Sequence, residues 1–372
     1  MKYTLTVAAL AFTVTANAQL RFPADGGSVR GKVAEQIGIT DVTIDYGRPA
    51  VKGREGHVWG ELVPKGFEES YALGNKQVIP WRAGANENTT IEFSTDVIVE
   101  GKTLPAGKYA VFMAYDPMET TVIFNRHTLA WGAYFYDDKE DALRVKVKPV
   151  ALTESVERLT YGFDGQTDSS AVVSLQWEKL KIPFTVSTQL QKLQLETIAK
   201  EMRGQKGFYA SNMLEAAVYF KEHNINLDQA LSYINSASRS MPTFYVFSQK
   251  AEILEKMNKP ADADVAMKDA IKAANNANQL HAYARRLLNE KKSDKAFEYF
   301  KLNYEKFPDV YTTNVGMARG YEALGNKKQA LKYATKALPQ APDPQNKAVI
   351  EEMIKSLKEG KVVKSKGLRP VM

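Results

Sequence analysis

The chain has 372 residues, 44% hydrophobic and 25% charged, which is typical of a folded protein with two or three domains. It has no cysteine, which excludes disulfides, thiol nucleophiles, thiolate metal sites and a cysteine-linked lipid anchor. The net charge of +7 is uneven, with 19 basic against 23 acidic residues in 19–186 and 30 against 20 in 187–372, but the lysines alternate with acids, which argues against nucleic-acid binding.

The first eighteen residues predict export. Lys2 precedes an apolar stretch from Leu5 to Val14, and Ala16-Asn17-Ala18 has the small-x-small form of a signal-peptidase site. The apolar stretch is shorter than the roughly 20 residues that span a bilayer, and no other segment approaches that length. We therefore expect a cleaved signal peptide over residues 1–18, no transmembrane segment, and a location in the periplasm or outside the cell.

Residues 19–186 show the two-residue periodicity of strands. The segment "ALRVKVKPV" alternates apolar and charged residues from Leu143 to Val147, and "SSAVVSLQW" continues the pattern from Val173 to Trp177. About eight strands are expected between Ile39 and Val186, joined by polar turns and without a helical pattern between them. This predicts an all-β domain, an antiparallel sandwich or barrel.

A helical period of 3.6 residues begins after residue 186, and a longer repeat is superimposed on it. One small residue opens the second helix of each predicted pair, at spacings of 33, 33 and 34: Ala230, Ala263, Ala296 and Ala330. Twelve residues before each lies a residue that lets two helices approach closely: Val218, Ala251, Ala284 and Ala318. We expect an all-α superhelix over residues 187–360, followed by a mobile basic tail over 361–372.

Three details of the repeats carry separate expectations. Lys221 stands where the first repeat calls for an apolar residue, and Asn275 replaces the proline that ends other repeats. Both departures predict weaker outer units. The last helix is expected to cap the array with one apolar face, formed by Val349, Met353, Ile354 and Leu357.

Residues 208–342 resemble tetratricopeptide repeats. "VYTTNVGMARGYEALGNKKQALKYATKALPQAPD" fits that pattern best, with its small residues and final proline in register. Arrays of this kind resemble scaffolds that hold a peptide or a partner protein in a concave groove, which the resemblance implies here. The alternative is that four short repeats serve only to pack against the β domain.

No catalytic or metal motif is present. The sequence lacks the helical HExxH metal motif, the GxSxG nucleophile elbow and a phosphate-loop spacing. His223 and His281 lie on the helical patterns and are interpreted as packing or surface residues. We predict no metal and no cofactor, assign no catalytic residue, and leave enzymatic activity undecided with a preference for a non-catalytic protein.

The β domain places large aromatic residues in or beside polar loops: Trp59, Trp81, Trp131, Tyr134 and Tyr136. Aromatic rings flanked by amides and carboxylates are how sugar-binding sandwiches hold pyranose rings. The alternative interpretation is that these rings close the ends of the sandwich. The candidate binding residues are Trp81, Arg82, Asn86, Glu87, His57, His127 and Trp131.

Several segments of the β half carry a family resemblance. "YGRPAVKGRE", "GELVPKG", "WRAGANENTTIEFSTDVIVEGKTLPAGKYAVF", "TVIFNR", "WGAYFYDDKEDALRVKVKP" and "WEKLKIPF" resemble the domain of unknown function 2911, a family of exported proteins common in Bacteroidetes. The resemblance covers nearly all of residues 30–186, and Trp-Arg-x-Gly-Ala-Asn-Glu is its most specific mark. This chain has "KGFEESYALGNKQVIP" before that mark, which predicts a longer loop than the family's usual few residues. The resemblance implies a compartment and a domain identity but no reaction.

The segment "WRAGANENTT" (81–90) has two interpretations. Gly84 and Asn86 suit a turn, the Asn88 and Thr89 side chains can bond nearby backbone, and Arg82 is expected to pair with Glu87. The first interpretation is a structural corner that sets the register of the next strand. The second is that the segment lines a binding site.

The function expected from the sequence is therefore an exported, non-catalytic binding or scaffold protein. Its helical groove would engage a peptide or partner protein, and its β-sandwich would serve as a ligand-binding or docking module. The alternative is a carbohydrate-binding or glycan-hydrolysing protein with its site in the β domain.

Overall fold

The computed structural model describes residues 28–359, so the predicted signal peptide and the predicted tail over 361–372 lie outside the described residues. The chain separates into two compact units, with the division between Thr197 and Ile198. Strands make up the first unit and helices the second. None of the helices described in residues 28–359 combines the length and apolar character needed to cross a bilayer.

Twelve strands are formed within the described part of the β unit. They are β1 (Val29–Ile37), β2 (Thr40–Arg48), β3 (Glu68–Ser70), β4 (Gln77–Ile79), β5 (Thr89–Phe93), β6 (Val97–Val99), β7 (Lys102–Leu104), β8 (Gly107–Ala114), β9 (Thr120–Asn125), β10 (Asp141–Val147), β11 (Val150–Asp164) and β12 (Ser170–Ser187). The expected eight strands from Ile39 were too few, because β1 precedes Ile39 and β3, β4, β6 and β7 are only three residues long. The predicted long loop before "WRAGANE" contains the hairpin of β3 and β4.

All strand pairs are antiparallel and form three sheets. The orders are β1-β2-β5-β8-β9-β10, β11-β12-β6-β7 and β3-β4. Side chains from the six-stranded and four-stranded sheets share one apolar core, which includes Ile44, Phe93, Val111, Leu175 and Trp177. The β unit is therefore an antiparallel sandwich, as the alternating residues predicted.

Strand β8 is buried on both faces, as is most of its neighbour β9. Its Val111 and Met113 belong to the main core. Its Ala110 and Phe112 face a second, smaller cluster with Ile123, under the loops around Tyr134 and Tyr136. The loop that follows β9 therefore packs onto the outer face of this sheet, beside the "WRAGANENTT" segment.

Ten α-helices follow in the described residues. They are α1 (Leu190–Glu201), α2 (Ala210–Glu222), α3 (Leu227–Ser240), α4 (Phe244–Lys256), α5 (Pro260–Ala273), α6 (Ala277–Asn289), α7 (Ser293–Lys306), α8 (Tyr311–Ala323), α9 (Lys327–Ala337) and α10 (Pro344–Glu359). The pairs α2/α3, α4/α5, α6/α7 and α8/α9 are the four predicted repeats. The small residues that open the second helices are all buried, as close helix crossing requires. The helical unit thus has the tetratricopeptide-like architecture that the spacing predicted.

Neither departure from the repeat pattern interrupts the array. Lys221 is buried at the end of α2 and donates hydrogen bonds to Gln249 and Glu252 on α4, so an ion pair replaces the apolar contact. After Asn275, the side chain of Asn276 accepts backbone N–H groups at the start of α6, so α5 and α6 stay separate without a proline.

The apolar face of α10 differs by one residue from the expected face. Val349 is 37% exposed, whereas Ile350, Met353 and Leu357 are buried. These three lie at i, i+3 and i+7, the spacing of one helical face, and Ile354 packs at the edge of the same clusters. The residue-level assignment of Val349 to the face was wrong, because either valine or isoleucine satisfies a hydrophobic pattern.

Candidate functional site

The segment "WRAGANENTT" forms a tight corner that leads into β5. Ala83 and Asn86 adopt left-handed backbone conformations, with φ of 48° and 64°. The carbonyl oxygen of Ala83 accepts hydrogen bonds from the Thr89 and Tyr161 hydroxyl groups, both at 3.0 Å. The corner is thereby tied to its own strand and to β11 on the opposite sheet, which supports the structural interpretation of the segment.

Two glycines allow the corner to lie directly on β2. A Cβ atom on Gly47 would lie 2.0 Å from the carbonyl oxygen of Ala85. A Cβ atom on Gly84 would lie 2.5 Å from the Thr89 hydroxyl oxygen and 3.2 Å from the carbonyl oxygen of Gly47. Since real Cβ atoms do not approach other atoms this closely, both positions require glycine.

The same corner forms one wall of a cleft of about 670 Å³, which we call the β cleft. Its other walls come from the loop at Arg54, the segment from Glu61 to Pro64, the β3–β4 hairpin and the loop at Tyr134, with Trp177 of β12 also lining it. A volume of several hundred cubic ångströms is in the range of small-molecule sites. The two interpretations of "WRAGANENTT" are therefore compatible, because one face of the corner holds the sheets and the other lines the cleft.

Three of the seven candidate residues lie together in the β cleft, namely Trp81, Arg82 and Asn86. The other four lie outside the lining of the cleft. His57 is exposed and contacts Glu61 at 3.0 Å; His127 is exposed, 3.8 Å from Glu140. Glu87 and Trp131 form a β-bridge with each other, and the Trp131 side chain is 53% exposed.

The expected ion pair between Arg82 and Glu87 is replaced by two other contacts. Glu87 accepts a hydrogen bond from Arg30 of β1 at 2.9 Å. Arg82 donates to the backbone carbonyl of Asn86 at 3.3 Å, and its guanidinium lies 5.7 Å from the centre of the Tyr134 ring. Asn86, which precedes Glu87, has a left-handed backbone conformation, and Glu87 lies outside the cleft lining.

The helical unit contains a second polar group, formed by α6 and α8, which are the first helices of the third and fourth repeats. Arg285 follows Ala284 and Arg319 follows Ala318, so the two arginines occupy equivalent repeat positions, 34 residues apart. Neither guanidinium makes a hydrogen bond or an ion pair with another residue in the described range 28–359. We call Arg285, Arg319 and the neighbouring His281 the arginine face.

Arg319 and His281 of the arginine face are desolvated, although both remain partly open to solvent. Burial by surrounding protein atoms lowers the pKa of Arg319 from its ordinary value, and the like charge of Arg285 acts in the same direction, while Glu322 opposes it. Desolvation and the charges of Arg319 and Arg285 also lower the pKa of His281 to about 3. Side chains that are crowded by protein yet still reach solvent are typical of a concave surface.

The equivalent position one repeat earlier is neutralised. Glu252 follows Ala251 on α4, accepts Lys221 at 2.9 Å from α2 and also pairs with Arg286 of α6. Its side chain is 13% exposed. The equivalent position is therefore a paired carboxylate on α4, namely Glu252, and an arginine on α6 and on α8. Neither arginine forms an ion pair with a carboxylate among the described residues.

Sequence reasoning missed the residues that complete both sites. In the β cleft these are Arg54, Tyr71 and Trp177, and in the helical unit Arg285 and Arg319. The repeat register could have identified the two arginines, because both directly follow a marker residue. His281 was interpreted as a packing or surface residue; its ring does pack on Phe300, with centroids 5.4 Å apart, but its Nδ1 has no hydrogen-bond partner among the described residues.

No cluster of three or more His, Asp or Glu side chains within residues 28–359 is placed to hold a metal ion. The described residues contain two candidate sites, a cleft of small-molecule size in the β-sandwich and a cationic face on the helical repeats.

Residues 28–186 match the model of a family described as "Protein of unknown function (DUF2911)". This match confirms the resemblance inferred from the β-strand motifs. It ends at residue 186, four residues before α1 begins at Leu190. No curated protein matches the sequence.

The helical region is similar to solved structures of tetratricopeptide repeat proteins. YrrB, a TPR protein with an unusual peptide-binding site, matches at 19% identity and a TM-score of 0.28, covering 42% of this chain and 81% of that chain. PilF of Pseudomonas aeruginosa matches at 15% identity and a TM-score of 0.29, covering 42% of this chain and 71% of that chain. A TPR repeats protein of Bacteroides fragilis matches at 14% identity and a TM-score of 0.28, covering 46% of this chain and 92% of that chain.

Proposed function

We propose that this protein is a repeat scaffold whose helical unit binds a partner protein segment carrying carboxylate groups. The observation that carries the proposal is the arginine face, where Arg285 and Arg319 have no hydrogen bond or ion pair with any described residue. An arginine presents up to five N–H donors in a planar fork that matches a carboxylate. Two such forks on neighbouring helices favour an acidic segment over a neutral one.

The energetics of the arginine face point the same way. Two like-charged guanidinium groups that act on each other, one of them desolvated, raise the free energy of the unbound protein. A carboxylate that enters between them would replace lost hydration and remove the repulsion, so it gains more there than at an exposed arginine. Glu252 shows the same principle within the chain, since its carboxylate is held by Lys221 and Arg286.

Crosslinking in living cells tests the proposal. Ala282 is exposed on α6, one turn before Arg285, so a photo-crosslinking amino acid in place of Ala282 would lie beside a bound segment. We expect one partner segment, rich in Asp or Glu, to be captured. The double variant Arg285→Gln with Arg319→Gln should reduce the captured fraction at least about tenfold, because each charged hydrogen bond contributes about 1.5–3 kcal/mol.

A matched control separates recognition from net charge. Lys268 of α5 and Lys328 of α9 are exposed, and changing both to Gln removes the same two charges. This control should capture the partner as the parent chain does. Equal loss in both double variants, or a captured segment without acidic residues, would contradict the proposal.

We also propose that the protein acts after export from the cytoplasm. The support is the basic start, short apolar stretch and Ala16-Asn17-Ala18 of the first eighteen residues, which lie outside the described range. Mass spectrometry of the N-terminal peptide of the protein from the periplasmic fraction should identify Gln19, free or cyclised to pyroglutamate, as the first residue. Full-length protein recovered from the cytoplasm, with its initial segment intact, would overturn this part of the proposal.

A further inference from the structure

The β cleft holds hydrogen-bond donors that lack acceptors. Arg82 is half-buried, and among residues 28–359 its guanidinium makes one hydrogen bond, the 3.3 Å contact to the carbonyl of Asn86. Gly132 makes room for it, because a Cβ there would lie 3.0 Å from the guanidinium carbon. The positive charge is thus held against Tyr134 at the cleft wall, without a carboxylate partner among the described residues.

Two further donors line the same cleft. Arg54 is fixed by its Nε and one Nη, which donate to the carbonyl oxygens of Val51 and Ala50 at 2.9 and 2.7 Å, and these bonds leave its charge uncompensated. Trp177 is 1% exposed, and its indole N–H has no partner in the described residues. A buried donor without an acceptor costs free energy unless a ligand or water satisfies it.

An apolar wall lies beside these donors. The Trp81 ring stacks on Trp177, with centroids 6.3 Å apart and 15° between the planes, and both rings contact Trp59. Stacking of this kind holds Trp81 in place, and Tyr134 and Ile79 extend the apolar surface within the cleft. The wall suits the flat or aliphatic part of a small molecule.

The carboxylates that line the cleft are all exposed to solvent: Glu61, Glu68 and Glu69. Glu69 pairs with Lys76 at 2.5 Å, and Glu61 lies 3.0 Å from the ring of His57. The acidic side of the cleft therefore lies at its solvent edge, where water screens it, whereas the two arginines are half-buried.

We infer that the β cleft binds a small organic carboxylate, with the carboxylate at Arg82 and its apolar part against Trp81. Arg54 adds positive potential to the same cleft. This site is independent of the arginine face, because it lies entirely within the β unit.

The indole N–H signals of the whole protein provide a direct test. The chain has four tryptophans, at 59, 81, 131 and 177, so a ¹⁵N-tryptophan-labelled sample gives four signals that single Trp→Phe substitutions assign. Titration with 3-phenylpropanoate should shift the signals of Trp81 and Trp177. The signal of exposed Trp131, which lies outside the cleft lining, should stay unchanged.

The charge requirement is tested on the unmodified protein with matched probes. 3-Phenylpropanamide has the same shape without the charge and should leave the signals in place at the same concentration. Acetate lacks the apolar part and therefore tests the contribution of the apolar wall. It should bind at least about tenfold more weakly than 3-phenylpropanoate, since a loss of about 1.4 kcal/mol of binding free energy raises the Kd tenfold. Glucose, as a neutral sugar, should cause no shift.

A variant assigns the role of Arg82. Arg82→Gln should weaken 3-phenylpropanoate binding about tenfold or more, whereas Arg126→Gln, at an exposed arginine outside the cleft lining, should bind as the parent does. An unchanged Trp131 signal confirms that the variant is folded. Equal shifts with the amide, shifts with glucose, or no shift with 3-phenylpropanoate up to about 10 mM would overturn the inference.

Discussion

Gly47 marks the closest backbone approach of the β unit. A Cβ atom at this position would lie 2.0 Å from the carbonyl oxygen and 2.9 Å from the carbonyl carbon of Ala85. Both obstacles are backbone atoms, which cannot rotate away as a side chain can. The position of the corner, and with it that of Arg82 and Asn86 in the β cleft, depends on the missing side chain of Gly47.

We therefore expect Gly47→Ala to lower the free energy of unfolding of the β unit by about 3 kcal/mol or more, at the upper end of overpacking costs. Gly162 is the control, because a Cβ there meets nothing within 4 Å. Gly162→Ala should change stability by less than about 1 kcal/mol. Tryptophan fluorescence during urea unfolding reports on this unit, which holds all four tryptophans; equal effects of the two substitutions would refute the steric argument.

Single residues of the candidate site were only partly predictable. Trp81, Arg82 and Asn86 were found because unusual residue types crowd into one segment. The contacts of Gly47 with Ala85 and of Tyr161 with Ala83 join segments that are distant in sequence. Periodicity shows which face of a strand is buried, but it does not show which loop lies on which strand.

The pair Lys221 and Glu252 explains how the first two repeats stay joined at a position that lacks an apolar residue. Lys221 is 9% and Glu252 13% exposed in their side chains, so both charges are largely removed from water. Such a pair depends on its partners, because either charge alone would be left buried and uncompensated. Arg286 from the third repeat also pairs with Glu252, so the three side chains link α2, α4 and α6.

A double-mutant cycle measures this link. Lys221→Met and Glu252→Gln should show a coupling energy of about 1–3 kcal/mol in urea unfolding followed by circular dichroism at 222 nm. The exposed pair Lys301 and Glu305, 3.9 Å apart on α7, is the control and should couple by less than about 0.5 kcal/mol. Additive effects at Lys221 and Glu252 would show that the contact does not stabilise the array.

The pKa of His281, lowered to about 3 by desolvation and by Arg319 and Arg285, makes the helical unit sensitive to acid. The unfolded chain takes up a proton below about 6.5, but the folded chain does not until about 3. Protonation of His281 therefore does not affect the free energy of unfolding above pH 6.5. Below pH 6.5 that free energy falls by up to about 1.4 kcal/mol per pH unit as the pH drops towards 3. A hydrogen bond between His281 and the backbone of Thr312 acts in the opposite direction and raises the pKa of His281.

His281→Gln should consequently flatten the fall in unfolding free energy between pH 6.5 and pH 4, measured by urea unfolding at a series of pH values. Loss of the contact with Phe300 lowers the whole curve but not its slope. The same substitution at exposed His223 controls for the removal of an imidazole. Parallel curves for the parent and His281→Gln would contradict the linkage.

Elements were predicted better where the pattern was long. The repeat spacings located all four helix pairs, because each pair must bury small residues at its crossing. The three-residue strands β3, β4, β6 and β7 were missed or merged, since three residues hold too little alternation to be recognised. Of the four residues predicted for the α10 face only Val349 was wrong, because Val349 and Ile350 are equally apolar and Ile350 is the buried one.

On the scale of the whole molecule, charge is divided between the two halves. Residues 187–372 hold 30 basic and 20 acidic residues, whereas residues 19–186 hold 19 and 23. A net positive region attracts an acidic partner over a distance of roughly one Debye length, about 8 Å at physiological salt. Under the proposed function, we expect the scattered lysines to affect the rate of encounter and the arginine face to affect the lifetime of the complex.

This division gives a kinetic prediction that rests on the proposed function. A synthetic copy of the crosslinked partner segment should associate about tenfold or more slowly when sodium chloride rises from about 20 to about 500 mM, because screening removes the long-range attraction. Stopped-flow fluorescence of a labelled peptide measures the association rate, and displacement by unlabelled peptide measures dissociation.

The two double variants should separate the long-range and local effects, although each removes two positive charges. Lys268→Gln with Lys328→Gln should slow association modestly and leave dissociation unchanged, because both lysines are exposed. Arg285→Gln with Arg319→Gln should speed dissociation about tenfold or more, because the partner's carboxylates lose donors in a desolvated place. If both variants changed only association, the arginines would act through net charge alone, and local recognition by the arginine face would be refuted.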